Sequence, residues 1–239
     1  MSFDEIIIFA ESGNTDAMVA AIQEFVWNEH VPVAQSDEIR KKTLEYLNTA
    51  ILSGNDKAMN QLGAMYAEGR FVDKDPEQAF LFYKMASEHG NVLATSNLGF
   101  SYLYGTGTEK NPEEAYKAFT KAALLGMEEA YVRLGDMYRY GTYVSKDIKT
   151  AFNLYVHAYK KAKKNLADWG MQQVYSDACL RVGDFYYNGD VVDKNVEESI
   201  RWYADAVKYY KIREERADAY SAEGYAKAKE RLAQAVKDM

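Results

Sequence analysis

Side chains able to attack, ligate or exchange protons are few in this chain, and their spacing assembles no reaction. The three histidines, His30, His89 and His157, stand far apart. None falls in an HxxxH or HExxH spacing that would let two imidazoles share a metal. The single cysteine, Cys179, excludes an internal disulfide and reads as a structural thiol without a base partner. No GxxxxGK[ST] loop cradles a phosphate and no GxSxG elbow presents a serine. Acidic pairs are common, but none is set apart by an apolar pocket of the kind that splits two carboxylate pKa values. The expectation is therefore no catalytic residue, no cofactor and no metal ligand. What the chain does hold in quantity is tyrosine, 20 residues of it, and the chemistry that suits tyrosine is recognition.

Composition bounds the class. At 239 residues with 48% hydrophobic content, a substantial core can form. A net charge of −7 with mixed signs gives no electrostatic case for nucleic acid or an anionic membrane. The start, Met1-Ser2-Phe3-Asp4-Glu5, lacks a basic leader, and the apolar run Ile6 to Ala10 is too short to span a bilayer. A cytoplasmic protein is expected.

The elements that position these residues repeat. Four glycines, Gly63, Gly99, Gly135 and Gly183, head copies of one pattern. Five residues before each stands Ala58, Ala94, Ala130 or Ala178, and one before it Leu62, Leu98, Leu134 or Val182. Three after stands Tyr66, Tyr102, Tyr138 or Tyr186, and six after a second glycine, Gly69, Gly105, Gly141 or Gly189. Eleven after is a lysine, Lys74, Lys110, Lys146 or Lys194, followed by Asp75, Asn111, Asp147 or Asn195. A small residue, an aromatic and an alanine follow at +16, +20 and +23, for example Ala151, Tyr155 and Ala158. The first group makes the buried stripe of one helix and the last group that of a second. A mid-helix glycine costs about 1 kcal/mol against alanine, so its recurrence implies an aromatic ring from the facing helix. The second glycine ends the first helix, and the Asp or Asn caps the second. The lysine reads as bonding carbonyls at that glycine turn.

The motif A-x-x-x-L-G-x-x-Y-x-x-G, then K-[DN], then A-x-x-x-[YF]-x-x-A, resembles the Sel1-like repeat family, a relative of the tetratricopeptide repeats. The resemblance implies an all-α fold, a right-handed α-solenoid of stacked antiparallel helix pairs. Residues 1–57 read as a cap helix and a degenerate repeat, with a loop from His30 to Ser36. Four repeats follow at 58–93, 94–129, 130–177 and 178–219, and 220–239 forms a closing helix. The 48 residues from Gly135 to Gly183, against 36 elsewhere, imply helices lengthened around a turn at Asp168-Trp169-Gly170. Ala228, Leu232, Ala233 and Val236 continue the stripe in the closing helix.

In such repeats the first helix faces the concave wall, so positions −3, +1, +4 and +5 are the expected groove. These positions vary between copies while the stripe does not. They place Phe100, Leu103, Tyr104, Tyr140 and Tyr187 as an aromatic floor. Asp136, Arg139, Asp184 and Asn188 supply polarity, with Asp136 and Arg139 also able to pair along one helix. The implied function is a protein-interaction scaffold or adaptor that binds a peptide or protein segment. A small-ligand or signalling-peptide receptor is the alternative, and homo-oligomerisation through the long C-terminal helices remains open. Cysteine-rich relatives linked to penicillin binding or β-lactam hydrolysis pair cysteines within each unit, and the lone Cys179 removes that correspondence. The Lys160 to Lys164 run reads first as a solvated helix face, and otherwise as an attractor of an acidic partner.

Overall fold

The computed structural model describes residues 3–27, 37–214 and 221–239. Among them are twelve α-helices and no strand. The chain divides into two compact units, Met1–Ala118 and Phe119–Met239.

The first unit holds α1 (Phe3–Glu11), α2 (Thr15–Trp27), α3 (Asp37–Leu52), α4 (Asp56–Glu68), α5 (Pro76–Glu88) and α6 (Val92–Tyr104), and the start of α7 (Pro112–Leu124). Its N-terminal core joins Ala21, Ile22 and Phe25 of α2 to Tyr46, Leu47 and Ala50 of α3 and Ala58 and Met65 of α4. Ile22 is fully buried, so the degenerate repeat packs its isoleucine where later copies carry glycine. The expected loop from His30 to Ser36 lies outside the described residues.

The second unit holds α8 (Glu128–Tyr140), α9 (Ile148–Lys163), α10 (Trp169–Asn188), α11 (Val196–Glu214) and α12 (Ser221–Lys237). One continuous core runs from Val132 through Tyr155, Phe185, Tyr203 and Tyr210 to Ala235. Helices α9, α10 and α11 have 16, 20 and 19 residues, against 13 in α4 to α8, as the 48-residue spacing requires.

The recurring residues do the work assigned to them, with corrections. A Cβ added at Gly63, Gly135 or Gly183 would lie 2.8, 2.5 or 2.7 Å from the ring of Tyr83, Tyr155 or Tyr203. The glycine is therefore the socket for the +20 ring. The second glycine closes the first helix in the left-handed region at Gly69, Gly105, Gly141 and Gly189, where a side chain would be strained. Asp75 Oδ1 accepts from the Glu77 and Gln78 amides, both at 3.0 Å. Asp147 caps α9 in the same way. A Cβ added at Gly69, Gly105 or Gly141 would lie 3.1 to 3.4 Å from the Cβ of Lys74, Lys110 or Lys146. The turn is instead closed one residue later, where the Asp75, Asn111, Asp147 and Asn195 amides donate to the carbonyls of Tyr66, Tyr102, Tyr138 and Tyr186 at 2.8–2.9 Å.

Two further expectations are corrected. Asp168 is not in a turn with Trp169 and Gly170. Its carboxylate accepts from the Met171 amide at 3.1 Å and caps α10, which begins at Trp169. In α12, Ala228 is buried as expected, but Ala233 and Val236 are exposed. Ser221, Ala228 and Ala235 form the buried stripe, and Gly224 accepts the ring of Tyr210. The lengthened α11 supplies that ring beyond the ordinary repeat, so the socket moves toward the start of α12.

Candidate functional site

Of the four groove positions, −3 is closed. Asn60, Ser96, Val132 and Leu180 are all buried. Position +1 is half-buried at Phe100 and Asp136 and buried at Asp184. Position +4 is half-buried at Leu103, Arg139 and Tyr187, and +5 is exposed at Tyr104, Tyr140 and Asn188. The angle of about 100° per helical residue explains the gradient: −3 turns toward the neighbouring helix, and +5 lies at the outer edge of the face.

In the first unit, α6 presents Phe100 stacked on Tyr104, with ring centroids 6.4 Å apart and planes 9° apart. Tyr104 is 67% exposed, and Leu103 stands beside this pair on the same helix.

In the second unit the polar residues are tied to one another across successive repeats. Asp136 accepts two bonds from Arg181, at 2.7 Å from Nε and 2.7 Å from Nη2, and a third from the Tyr155 hydroxyl at 2.8 Å. Arg139 donates to Asp184 at 3.1 Å. Asp184 also accepts from the Tyr203 hydroxyl at 2.9 Å and has Arg231 Nε 3.6 Å away. Arg133 bridges Glu129 at 3.1 Å and Asp177 at 3.2 Å. Asp136 and Arg139 therefore do not pair along α8; each pairs with α10 instead. The Tyr187 hydroxyl donates to Asp238, just after α12, and the Asn188 amide reaches Asp190 at 3.5 Å.

The electrostatics follow from this geometry. Burial works against the Asp136 carboxylate, but the charge and hydrogen bonds of Arg181 outweigh it and hold its pKa below the ordinary value. Burial also opposes the Arg181 charge, and Asp136 overrides it, so its pKa is raised. The phenols of Tyr155 and Tyr203 are pushed far up, first by burial and then by the carboxylates they donate to. They act as permanent donors. Cys179 is fully buried, and burial raises its thiol pKa, away from the reactive thiolate.

Arg181, Arg133 and Arg231 were missed in the sequence reading. They share the −2 position, counting Ala233 as the reference in α12. The available signal was arginine at −2 in one copy with aspartate at +1 in the copy before it. A second signal was tyrosine at +20 wherever +1 is aspartate.

Tyr143 was also missed. It lies eight residues after Gly135 with a backbone φ of 67° and is 53% exposed. The same position holds Gly107 at φ 71° and Phe71 at φ 61°. Phe71 packs against the N-terminal core, whereas Tyr143 carries the left-handed strain without comparable burial. Tyr143→Gly is expected to leave the fold intact and raise stability by about 0.5 kcal/mol, since relief of strain exceeds the added freedom of the unfolded chain. Urea unfolding checks this, and a loss of 1 kcal/mol would show that the ring is structural.

Among the described residues, no group of three or more His, Cys, Asp or Glu is placed to hold a metal ion. None of the described helices is long and apolar enough to cross a membrane.

The model of the Sel1 repeat matches residues 56–91, 92–127, 128–162 and 176–211, together more than half of the chain. Among solved structures, a Sel1 repeat protein from Oxalobacter formigenes is 25% identical with a TM-score of 0.66, over 83% of this chain and 74% of that one. A putative Sel1 repeat protein from Klebsiella pneumoniae subsp. pneumoniae is 15% identical with a TM-score of 0.53, over 99% and 100%. The protective antigen c5321 of uropathogenic Escherichia coli, which displays an SLR fold, is 21% identical with a TM-score of 0.51, over 97% and 63%. None of the curated proteins compared matches the chain. The shared fold is all-helical and of the α-solenoid class.

Proposed function

The chain belongs to the Sel1 repeat family, and from that premise we propose that it is an interaction scaffold whose first-helix face holds a peptide or protein segment. Sel1-repeat proteins are generally protein-interaction scaffolds, and the fold is typically non-catalytic. One observation carries the reading for this chain. Asp136, Arg139 and Asp184 of the second unit are consumed internally, while in each unit one tyrosine at the outer edge of a first helix, Tyr104 or Tyr140, is left 67% exposed. A large amphipathic ring held on a rigid helix loses little conformational freedom on binding, which suits it as an anchor.

The roles divide accordingly. Tyr104 on Phe100, with Leu103, forms one apolar anchor point in the first unit. Tyr140, with the Arg139 guanidinium 5.8 Å from its ring, forms another in the second. Asp136 and Asp184 hold the arginines and tyrosines that set the shape of the wall. Tyr187 and Asn188 sit at the α12 end of the face.

A photo-crosslinking side chain at position 104 or 140, in the full-length chain, tests this. Each is expected to capture a discrete protein partner. Recovery of that partner by affinity capture is expected to fall at least tenfold for Phe100→Ala/Tyr140→Ala, roughly the loss of one binding hot spot. Equal recovery by wild type and double variant would refute the proposed face.

A further inference from the structure

The lengthened helices of the second unit bring together a charge pattern that the scaffold reading does not use. Between Ile148 and Asn165 the chain has five lysines and no acidic residue. Four of them, Lys160, Lys161, Lys163 and Lys164, crowd the last turn of α9 and are exposed. Like charges at i, i+3 and i, i+4 repel along a helix. The helix dipole favours cations at this end, which accounts for part of the run.

It does not account for Lys208. That lysine is exposed and lies six residues before the end of α11, outside its last turn. An aromatic run links it to the α9 cluster. Lys163 Nζ donates to the Tyr159 hydroxyl at 2.8 Å. Tyr159 lies 5.2 Å from Tyr175, and Tyr175 lies 4.8 Å from Tyr209, between ring centroids. Lys208 Nζ sits 5.3 Å from the Tyr209 ring. The carboxylate nearest this run, Asp205, is already engaged by the Tyr175 hydroxyl at 2.7 Å. The exposed lysines at the end of α9 and Lys208 of α11 therefore stand at the two ends of this aromatic run, on a chain whose net charge is −7.

We propose that this face is a second docking surface, and that it receives an acidic segment of a partner protein. Charge complementarity selects acid. The form of the face selects protein over nucleic acid: the rings are packed against one another, with Tyr175 only 3% exposed, and offer no platform for stacked bases. A short acidic segment stays within about one Debye length, ~8 Å, of the lysines. The surface lies on the second helices α9 and α11, whereas Tyr140 lies on the first helix α8 of the same unit, so the two can fail independently.

Fluorescence anisotropy of the full chain with a short labelled poly-glutamate peptide tests the proposal. Wild type is expected to bind at low salt and to release the peptide as salt rises. Lys160→Gln/Lys164→Gln/Lys208→Gln should weaken binding roughly tenfold, the combined effect of three exposed charges. Lys74→Gln/Lys110→Gln/Lys146→Gln, at the recurring turns, should leave it unchanged. Absence of poly-glutamate binding, or equal loss in both triple variants, would overturn the proposal. So would tighter binding to a single-stranded oligonucleotide or to phosphatidylserine vesicles. Salt-sensitive self-association seen by light scattering and lost in the first triple variant would assign the face to a second copy of this chain, and would overturn it as well.

Discussion

Asp136→Ala is expected to lower the unfolding free energy by about 3 kcal/mol. Removing one member of a buried ion pair typically costs 3–5 kcal/mol because the other charge is left behind. Here about a fifth of each side chain still reaches water, 19% for Arg181 and 23% for Asp136, which places the effect at the low end. The variant strands more than a charge, since the Tyr155 hydroxyl also loses its acceptor inside the core. Replacing both charged partners, as in Asp136→Leu/Arg181→Met, should recover the part of the loss due to the stranded charge, but not the part due to the Tyr155 hydroxyl, which lacks its acceptor in both variants. Urea unfolding followed by circular dichroism measures both variants. A loss below 1 kcal/mol for Asp136→Ala would mean the pair is screened and structurally idle.

The same carboxylate sets an acid limb. Its pKa is lowered in the folded protein, so its stabilising contribution is present above the unfolded carboxylate value, about 3.9. That contribution is lost as pH falls through the depressed folded value. Wild type should therefore lose stability more steeply than Asp136→Ala between about pH 4 and the acid end of the titration, and the two unfolding curves should converge there. Parallel acid limbs would exclude Asp136 as the cause.

Gly135→Ala sets two effects of opposite sign against each other. Helix propensity alone favours alanine by about 1 kcal/mol. The added Cβ would stand 2.5 Å from Tyr155 Cε1, and Tyr155 is fully buried with its hydroxyl held by Asp136. The ring cannot retreat without breaking that bond, so overpacking of about 3 kcal/mol wins, and the expected net loss is about 2 kcal/mol. Gly63→Ala should cost less. Its added Cβ would stand 2.8 Å from the Tyr83 ring, against 2.5 Å from that of Tyr155, and Tyr83 is 8% exposed where Tyr155 is fully buried. Thermal unfolding of the two variants measures the order, and a stabilised Gly135→Ala would show that the ring moves freely.

How much of this was legible follows from what repetition can carry. A residue needed by every helix pair must recur in every copy, so alignment of the chain with itself exposed the glycine sockets, their rings, the left-handed caps and the Asp and Asn caps. It also exposed the lengthened helices, because an altered spacing is itself a signal. The recurring lysine was visible but its task was not, since recurrence shows that a residue is needed without showing which of its atoms is used.

The candidate face was legible only in part. The spacing grouped positions +1, +4 and +5 on one helix face, yet it treated −3 as open and Asp136, Arg139 and Asp184 as available polarity. Whether a polar side chain faces a ligand or another repeat depends on what a helix about 45 residues away supplies, as Arg181 does for Asp136. Pairings that occur in only some copies give no fixed period to read. The sequence by itself determined the helix pair, its boundaries and its packing stripe, because those depend on local periodicity repeated four times. Tertiary structure alone decided which charges are spent within the wall, and that an aromatic run joins Lys163 of α9 to Lys208 of α11. Both depend on distances between side chains that are remote in the chain, and spacing along the chain does not encode those distances.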